Sequence, residues 1–159
     1  MSPGRIASIQ VSDGGVPKRP VERAEVTPAG LQGDRQANLK VHGGPDRAVC
    51  LFSREVLEAL AREGHPIRPG DAGENLTLAG LDWGALGPGA RLRLGASVVL
   101  EVTKYCDPCF KLRAYFKDGA VERILERAHP GQSRLYTRVL AGGAVVVGDE
   151  VRVLEGRWA

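Results

Sequence analysis

Short runs of alternating apolar and polar residues, broken by glycine and proline, set the pattern of this chain. Arg5 to Val11 reads as a first strand and ends in the turn-forming Ser12-Asp13-Gly14-Gly15. Val21 to Val26 is a second extended piece, and Ala48 to Phe52 is a third, apolar throughout. Leu76 and Leu78 alternate with polar neighbours in a short strand, and Arg91 to Leu94 alternates basic with apolar. After Gly95-Ala96-Ser97, Val98, Leu100 and Val102 face one way while Val99, Glu101 and Thr103 face the other. Leu135 to Leu140, Ala144 to Val147 and Val151 to Leu154 close the series.

Two stretches break this period. Ser53 reads as an N-cap, with Glu55 in the first turn, Val56, Leu57, Leu60 and Ala61 on one face, and Gly64 as the stop. Asp118 reads as the cap of a second helix whose face carries Val121, Ile124, Leu125 and Ala128, stopped by His129-Pro130-Gly131. The expected architecture is mainly β: a β-barrel or sandwich with two or three short peripheral α-helices, in one domain over residues 1–159.

Composition agrees with this. At 159 residues the chain is long enough for one hydrophobic core, and 21 glycines with 10 prolines suit many tight turns. The net charge of +3 comes from 22 basic and 19 acidic residues without a run of like charge, so bulk nucleic-acid binding is not expected. The apolar runs are too short for a signal-peptide core or a membrane span, and three cysteines do not make a disulfide scaffold; a reducing cytoplasm is the expected compartment.

Chemistry concentrates in the loops. The glycine-rich segment from Leu31 to Arg47 carries Arg35, His42 and Arg47, and long loops between strands in a compact domain are usually functional or disordered. Taken singly, these residues are equally consistent with turns, caps and solvated charge, as are Glu74 and Asn75. The stretch Tyr105 to Leu112 holds Cys106 and Cys109 in C-x-x-C spacing directly after the clearest strand. A zinc site lacks a second ligand pair, and a thioredoxin-type site lacks a βαβ context. An incidental pair of loop cysteines is the plain alternative. Against it, Pro108 keeps the preceding backbone extended, Phe110 and Leu112 are expected to anchor the segment, and Lys111 and Arg113 supply charge that favours a thiolate. Cys50, inside an apolar strand, is expected to be core.

In order along the chain stand Gly33-Asp34-Arg35-Gln36, His42-Gly43-Gly44-Pro45-Asp46-Arg47-Ala48-Val49, Gly73-Glu74-Asn75-Leu76-Thr77, Pro108-Cys109-Phe110-Lys111-Leu112 and Gly148-Asp149-Glu150-Val151. This ordered set resembles the MOSC domain family, named for the C-terminal domain of molybdenum cofactor sulfurase, and it covers nearly the whole chain. The resemblance implies a β-barrel that binds molybdenum cofactor (molybdopterin), with Cys109 as metal ligand or sulfur carrier. Arg35, His42, Arg47, Glu74, Asn75 and Lys111 are then the expected cofactor-binding residues, while Cys106 lies outside the motif and its role stays open. The implied activities are reduction of N-hydroxylated compounds, with electrons from a separate donor protein, or metal-free persulfide transfer fed by a cysteine desulfurase. A non-catalytic pterin carrier is the third possibility. Oligomeric state is not indicated.

Overall fold

The computed structural model describes residues 3–14, 16–34 and 44–156. Eleven strands appear among them: β1 (Gly4–Val11), β2 (Arg19–Val21), β3 (Arg23–Thr27), β4 (Gly30–Leu31), β5 (Val49–Ser53), β6 (Leu76–Ala79), β7 (Arg91–Leu94), β8 (Val98–Cys106), β9 (Arg134–Ala141), β10 (Gly143–Val146) and β11 (Glu150–Glu155). The main sheet runs β11-β7-β8-β9-β5-β6-β1-β2, and β11 also pairs with β1. That last pairing closes seven strands into a barrel, leaving β2 as a flap on β1. All pairings in the ring are antiparallel except β5 with β6, which are parallel and joined through the helix between them.

The alternation read from the sequence fills the barrel. Val98, Leu100 and Val102 of β8 are fully buried, together with Leu92 and Leu94 of β7, Leu51 of β5, and Leu135 of β9. The stretch expected as one strand over 21–26 is two, β2 and β3, separated at Glu22. β2 stays on the barrel, whereas β3 joins β4 and β10 in a three-stranded side sheet.

The single α-helix among the described residues, α1 (Arg54–Arg62), begins as expected: the Ser53 hydroxyl accepts a hydrogen bond from the Val56 amide at 3.1 Å. Val56, Leu57 and Leu60 bury its inner face. Gly64 leaves the helix at φ 97°.

The second expected helix is instead a chain of 3-10 turns: Phe110–Tyr115, Lys117–Gly119 and Val121–Ile124. Asp118 caps nothing there. It adopts φ 57°, and Gly119 follows at φ 68°, so the backbone reverses hand where a helix would begin. Side chains pin the segment in its irregular path. Arg123 pairs with Glu63 at 2.7 Å, and Glu126 accepts from the Ser133 hydroxyl at 2.7 Å. Ile124 is the residue buried from the Val121–Ile124 turn. No described helix is long and apolar enough to cross a membrane.

Candidate functional site

Alternation along β8 changes phase partway. Up to Val102 the even-numbered residues face the barrel interior, but the register against β9 slips between Val102 and Lys104. That bulge turns Tyr105 inward, opposite Leu135, and Lys104 and Cys106 outward, opposite Tyr136 and Arg134. Cys50 of β5 also faces Tyr136 across the sheet. One patch of the outer barrel wall therefore gathers Cys50, Lys104, Cys106, Arg134 and Tyr136.

Cys50, Cys106 and Tyr136 pack there as a small cluster distinct from the main core. Cys50 is thus buried as expected, but against a second thiol and outside the barrel interior. Two cations cover the Tyr136 ring from the solvent side: the Arg47 guanidinium at 5.5 Å from its centroid and the Lys104 ammonium at 5.9 Å.

Arg134 is 5% exposed. It donates to the Ala72 carbonyl at 2.6 Å and the Asp107 carbonyl at 3.2 Å, so it ties the loop before β6 to the segment after β8. Its Nε has no partner among the described residues. Burial works against its charge, but the neighbouring Cys106, Cys50 and Tyr136 more than offset that.

The two thiols divide one proton between them. The Cys106 thiol is pulled down to about 6, first by a hydrogen bond from Cys50 and then by the Arg134 guanidinium and the Tyr136 hydroxyl, against the cost of burial. Cys50 is pushed well above the usual thiol range by that same hydrogen bond and by its burial. Arg134→Gln should therefore move the lower thiolate transition of the Cys109→Ala protein upward, toward the ordinary thiol range. Thiolate ultraviolet absorbance followed against pH measures this; an unmoved transition would remove Arg134 from the account.

The loop before β6 supplies the next layer. Gly70 sits at φ 91°, and a Cβ there would lie 2.5 Å from the Lys18 carbonyl oxygen, so only glycine allows this approach. Beyond it Glu74 is fully buried. Its Oε2 accepts from the Thr77 hydroxyl at 3.4 Å, while Oε1 has no partner among the described residues. Burial raises its carboxyl to about 7, with the backbone at Gly70 and Glu74 and then Arg134 pulling in the opposite direction.

Asn75 acts as a clasp: Oδ1 accepts from the Cys50 amide at 2.9 Å and Nδ2 donates to Asp34 at 2.8 Å. Asp34, its side chain 1% exposed, also pairs with Lys18 at 2.6 Å and accepts from the Ser12 amide at 2.9 Å. Asp34 thus fixes the chain where it enters the segment 35–43.

Cys109 is exposed and sits in extended conformation at the start of the Phe110–Tyr115 turn, where its carbonyl accepts from the Leu112 amide at 3.1 Å. Leu112 is buried and anchors that turn as expected. Phe110 does not anchor it. Phe110 is 67% exposed, and its ring is stacked under the Arg113 guanidinium at 5.2 Å, which turns that charge onto the ring. Lys111 is exposed beside it.

Of the residues singled out in the sequence, Arg47 belongs to the outer patch, Glu74 and Asn75 form its buried support, and Cys109 and Lys111 follow from the end of β8. Arg35 and His42 lie outside the described residues. Four residues of the site had not been singled out: Lys104, Arg134, Tyr136 and Asp34. β9 alternates in the sequence, which places Arg134 and Tyr136 on a common face, but only the pairing with β8 and β5 shows which face that is. Asp34 stood inside a motif already noted, and nothing in its local sequence signals burial. A separate recess of about 310 Å³, bordered by Arg5, Arg54 and Glu55, shares no residue with this patch.

Comparison with known proteins follows this geometry. The chain is 37% identical over 145 residues to the uncharacterized protein YflK of Bacillus subtilis (strain 168), covering 88% of this chain and 63% of that protein. It is 34% identical to the protein YiiM of Escherichia coli (strain K12), covering 90% of this chain and 60% of that one. It thus spans about three fifths of the length of these curated relatives. The crystal structure of YiiM from Escherichia coli superimposes with a TM-score of 0.69 at 26% identity, covering 95% of this chain and 70% of that one. A protein named as a reductase from Gibberella moniliformis is 33% identical over 132 residues, which are 79% of this chain and 23% of that protein. The MOSC domain model matches residues 38–152. The chain belongs to the MOSC domain family.

Proposed function

We propose that this chain binds molybdenum cofactor and supports the reduction of N-hydroxylated compounds, with Cys109 as the protein's thiolate ligand to the metal. The observation that carries the reading is an exposed thiol three residues past the end of β8, close in the chain to an outer patch bearing Arg47, Lys104 and Arg134. The donor set fits the group. A thiolate is a suitable soft ligand for an oxo-metal centre, and cations suit the phosphate of a pterin cofactor. The buried Arg134 Nε, without a partner among the described residues, is a further donor near the end of β8.

Cys109 would hold the metal, and Arg47 with Lys111 would hold the phosphate, joined by Arg35 and His42 from the segment preceding Arg47. Glu74 and Asn75 would shape the pterin side of the site from beneath. When bound, the cofactor supplies two-electron redox chemistry at the substrate's N–O bond. The chain's own residues orient it, balance its charge and provide the thiolate. The electrons would come from a separate donor protein. The likeness to a fungal protein named as a reductase supports this reading at the level of a shared domain. The cytoplasm would be its compartment.

Protein purified from a molybdenum-replete, cofactor-producing host should carry molybdenum on elemental analysis, and Cys109→Ala should lose most of it. Full metal content in the variant would remove Cys109 from the ligand set.

Sulfur transfer is the second reading, favoured by the solvent exposure of Cys109. A cysteine desulfurase would then load Cys109 as a persulfide for delivery to an acceptor. Intact mass after incubation with a desulfurase and cysteine should show an added sulfur that reductant removes.

A further inference from the structure

The metal-ligand reading leaves the buried thiol pair behind Cys109 without a task. Cys50 and Cys106 lie on β5 and β8, which are both neighbours of β9 and so second neighbours of each other. Adjacent strands are about 4.8 Å apart, which separates the two backbones by roughly 10 Å. A disulfide needs Cα atoms within about 7 Å. The pair is therefore not built to oxidise. The two side chains pack against each other instead, and the Cys106 thiol donates to the Asp107 carbonyl at 3.9 Å.

Cys106 thus faces three groups that favour an anionic sulfur: the Cys50 thiol, the Tyr136 hydroxyl and the Arg134 guanidinium. Among the described residues the Arg134 Nε–H has no partner in this buried surrounding. That is one donor more than those residues use, next to a sulfur nucleophile. Cys106 is 2% exposed, and a solvent-borne sulfur donor cannot reach it readily. Cys109 is exposed, and only Asp107 and Pro108 separate the two. Arg134 grips that link through the Asp107 carbonyl.

We propose that Cys106 is a second sulfur-carrying residue: it takes sulfane sulfur from a persulfide on Cys109 and holds it, buried, among Cys50, Arg134 and Tyr136. This rests on the sulfur-transfer reading above. The Cys106 thiolate attacks the outer sulfur of Cys109–S–SH. A new S–S bond forms on Cys106, the S–S bond on Cys109 breaks, and Cys109 leaves as the thiolate, with the sulfane proton passing to solvent. Nothing is oxidised or reduced overall. Fully extended, three residues span roughly 10 Å, so Cys109 must fold back over Cys106, a closure that C-x-x-C spacing permits. The Arg134 Nε–H is then the donor for the terminal persulfide sulfur. Exposed Cys109 loads, and buried Cys106 stores.

The test exposes wild type, Cys109→Ser and Cys106→Ser briefly to inorganic polysulfide, which loads an accessible thiol without any enzyme. Samples quenched in acid with an alkylating reagent are cleaved before Asp107, which separates Cys106 from Cys109 for mass spectrometry. In wild type the added sulfur should appear first on Cys109 and then on Cys106. Cys109→Ser should lose the Cys106 adduct, and Cys106→Ser should keep its sulfur on Cys109. Sulfur that stays on Cys109 in wild type overturns the proposal. So does sulfide release with a Cys106–Cys109 disulfide, or equally fast loading of Cys106 in Cys109→Ser. A parallel arm uses a cysteine desulfurase with cysteine: transfer from polysulfide but no loading by the desulfurase would sink the sulfur-transfer reading and leave the Cys106 chemistry standing.

Discussion

Asn75→Ala should lower the free energy of unfolding by about 3 kcal/mol, because it strips partners from two buried groups at once. The Cys50 amide loses its 2.9 Å acceptor, and the Asp34 carboxylate loses a 2.8 Å donor where it is almost wholly enclosed. Buried polar groups left without partners cost about 1–3 kcal/mol each, and more when charged. The backbone bonds of Asn75, from its amide to the Cys50 carbonyl and to its carbonyl from the Gln10 amide, survive the substitution, so the strand itself should persist. Asn75→Asp is the sharper variant: it replaces the amide donor with a second carboxylate facing Asp34 and should be at least as damaging at neutral pH. Urea titration reads both. A loss below about 1 kcal/mol for Asn75→Ala, the worth of one ordinary hydrogen bond, would mean that the clasp does not hold this wall together.

Glu74→Gln should stabilise the protein in mildly alkaline solution and flatten its stability between pH 4.5 and 7. The carboxyl titrates at 4.5 when solvated and at about 7 in the folded chain, so the folded state holds its proton more tightly. The stabilisation from the neutral form is complete below the unfolded value and is lost as pH rises through 7. A shift of this size is worth roughly 3 kcal/mol at 1.36 kcal/mol per pH unit. Glutamine keeps the shape and cannot ionise. Cys106 runs the other way: its lowered thiol adds stability that is present above the ordinary thiol value near 9 and is lost as pH falls through about 6. Double variants at Glu74 and Cys106 therefore separate the two slopes. Unfolding measured at several pH values decides it: wild type and Glu74→Gln with parallel profiles would show that Glu74 holds its proton no more tightly in the folded chain than in the unfolded one.

These groups also mark how far sequence carries for this fold. The strands were legible because burial imposes a period of two, and Leu92, Leu94, Leu100 and Leu135 obey it; the Ser53 cap was legible because its chemistry is local. The segment after Asp118 was not. Its apolar spacing suits a helix, but two successive positive-φ residues and the Arg123 and Glu126 tethers override it with tertiary geometry. The motif around Cys109 was visible as order along the chain. The company kept by Cys106 was not, since simple alternation from Val98 would have turned it into the barrel. Arg134 and Tyr136 meet it only through strand pairing, which separates them from Cys106 by 28 and 30 positions in the chain.

The slip in β8 makes the pairing register more consequential than any single substitution in this wall. Losing the bulge while keeping Thr103 would draw that residue into unbroken alternation, and every side chain beyond it would change sides. Tyr105 would leave the core, and Cys106 would enter it and desert Arg134. The reading frame of the side chains, more than any one side chain, is what a homologue or a redesigned barrel must preserve to keep its sulfur on the outside.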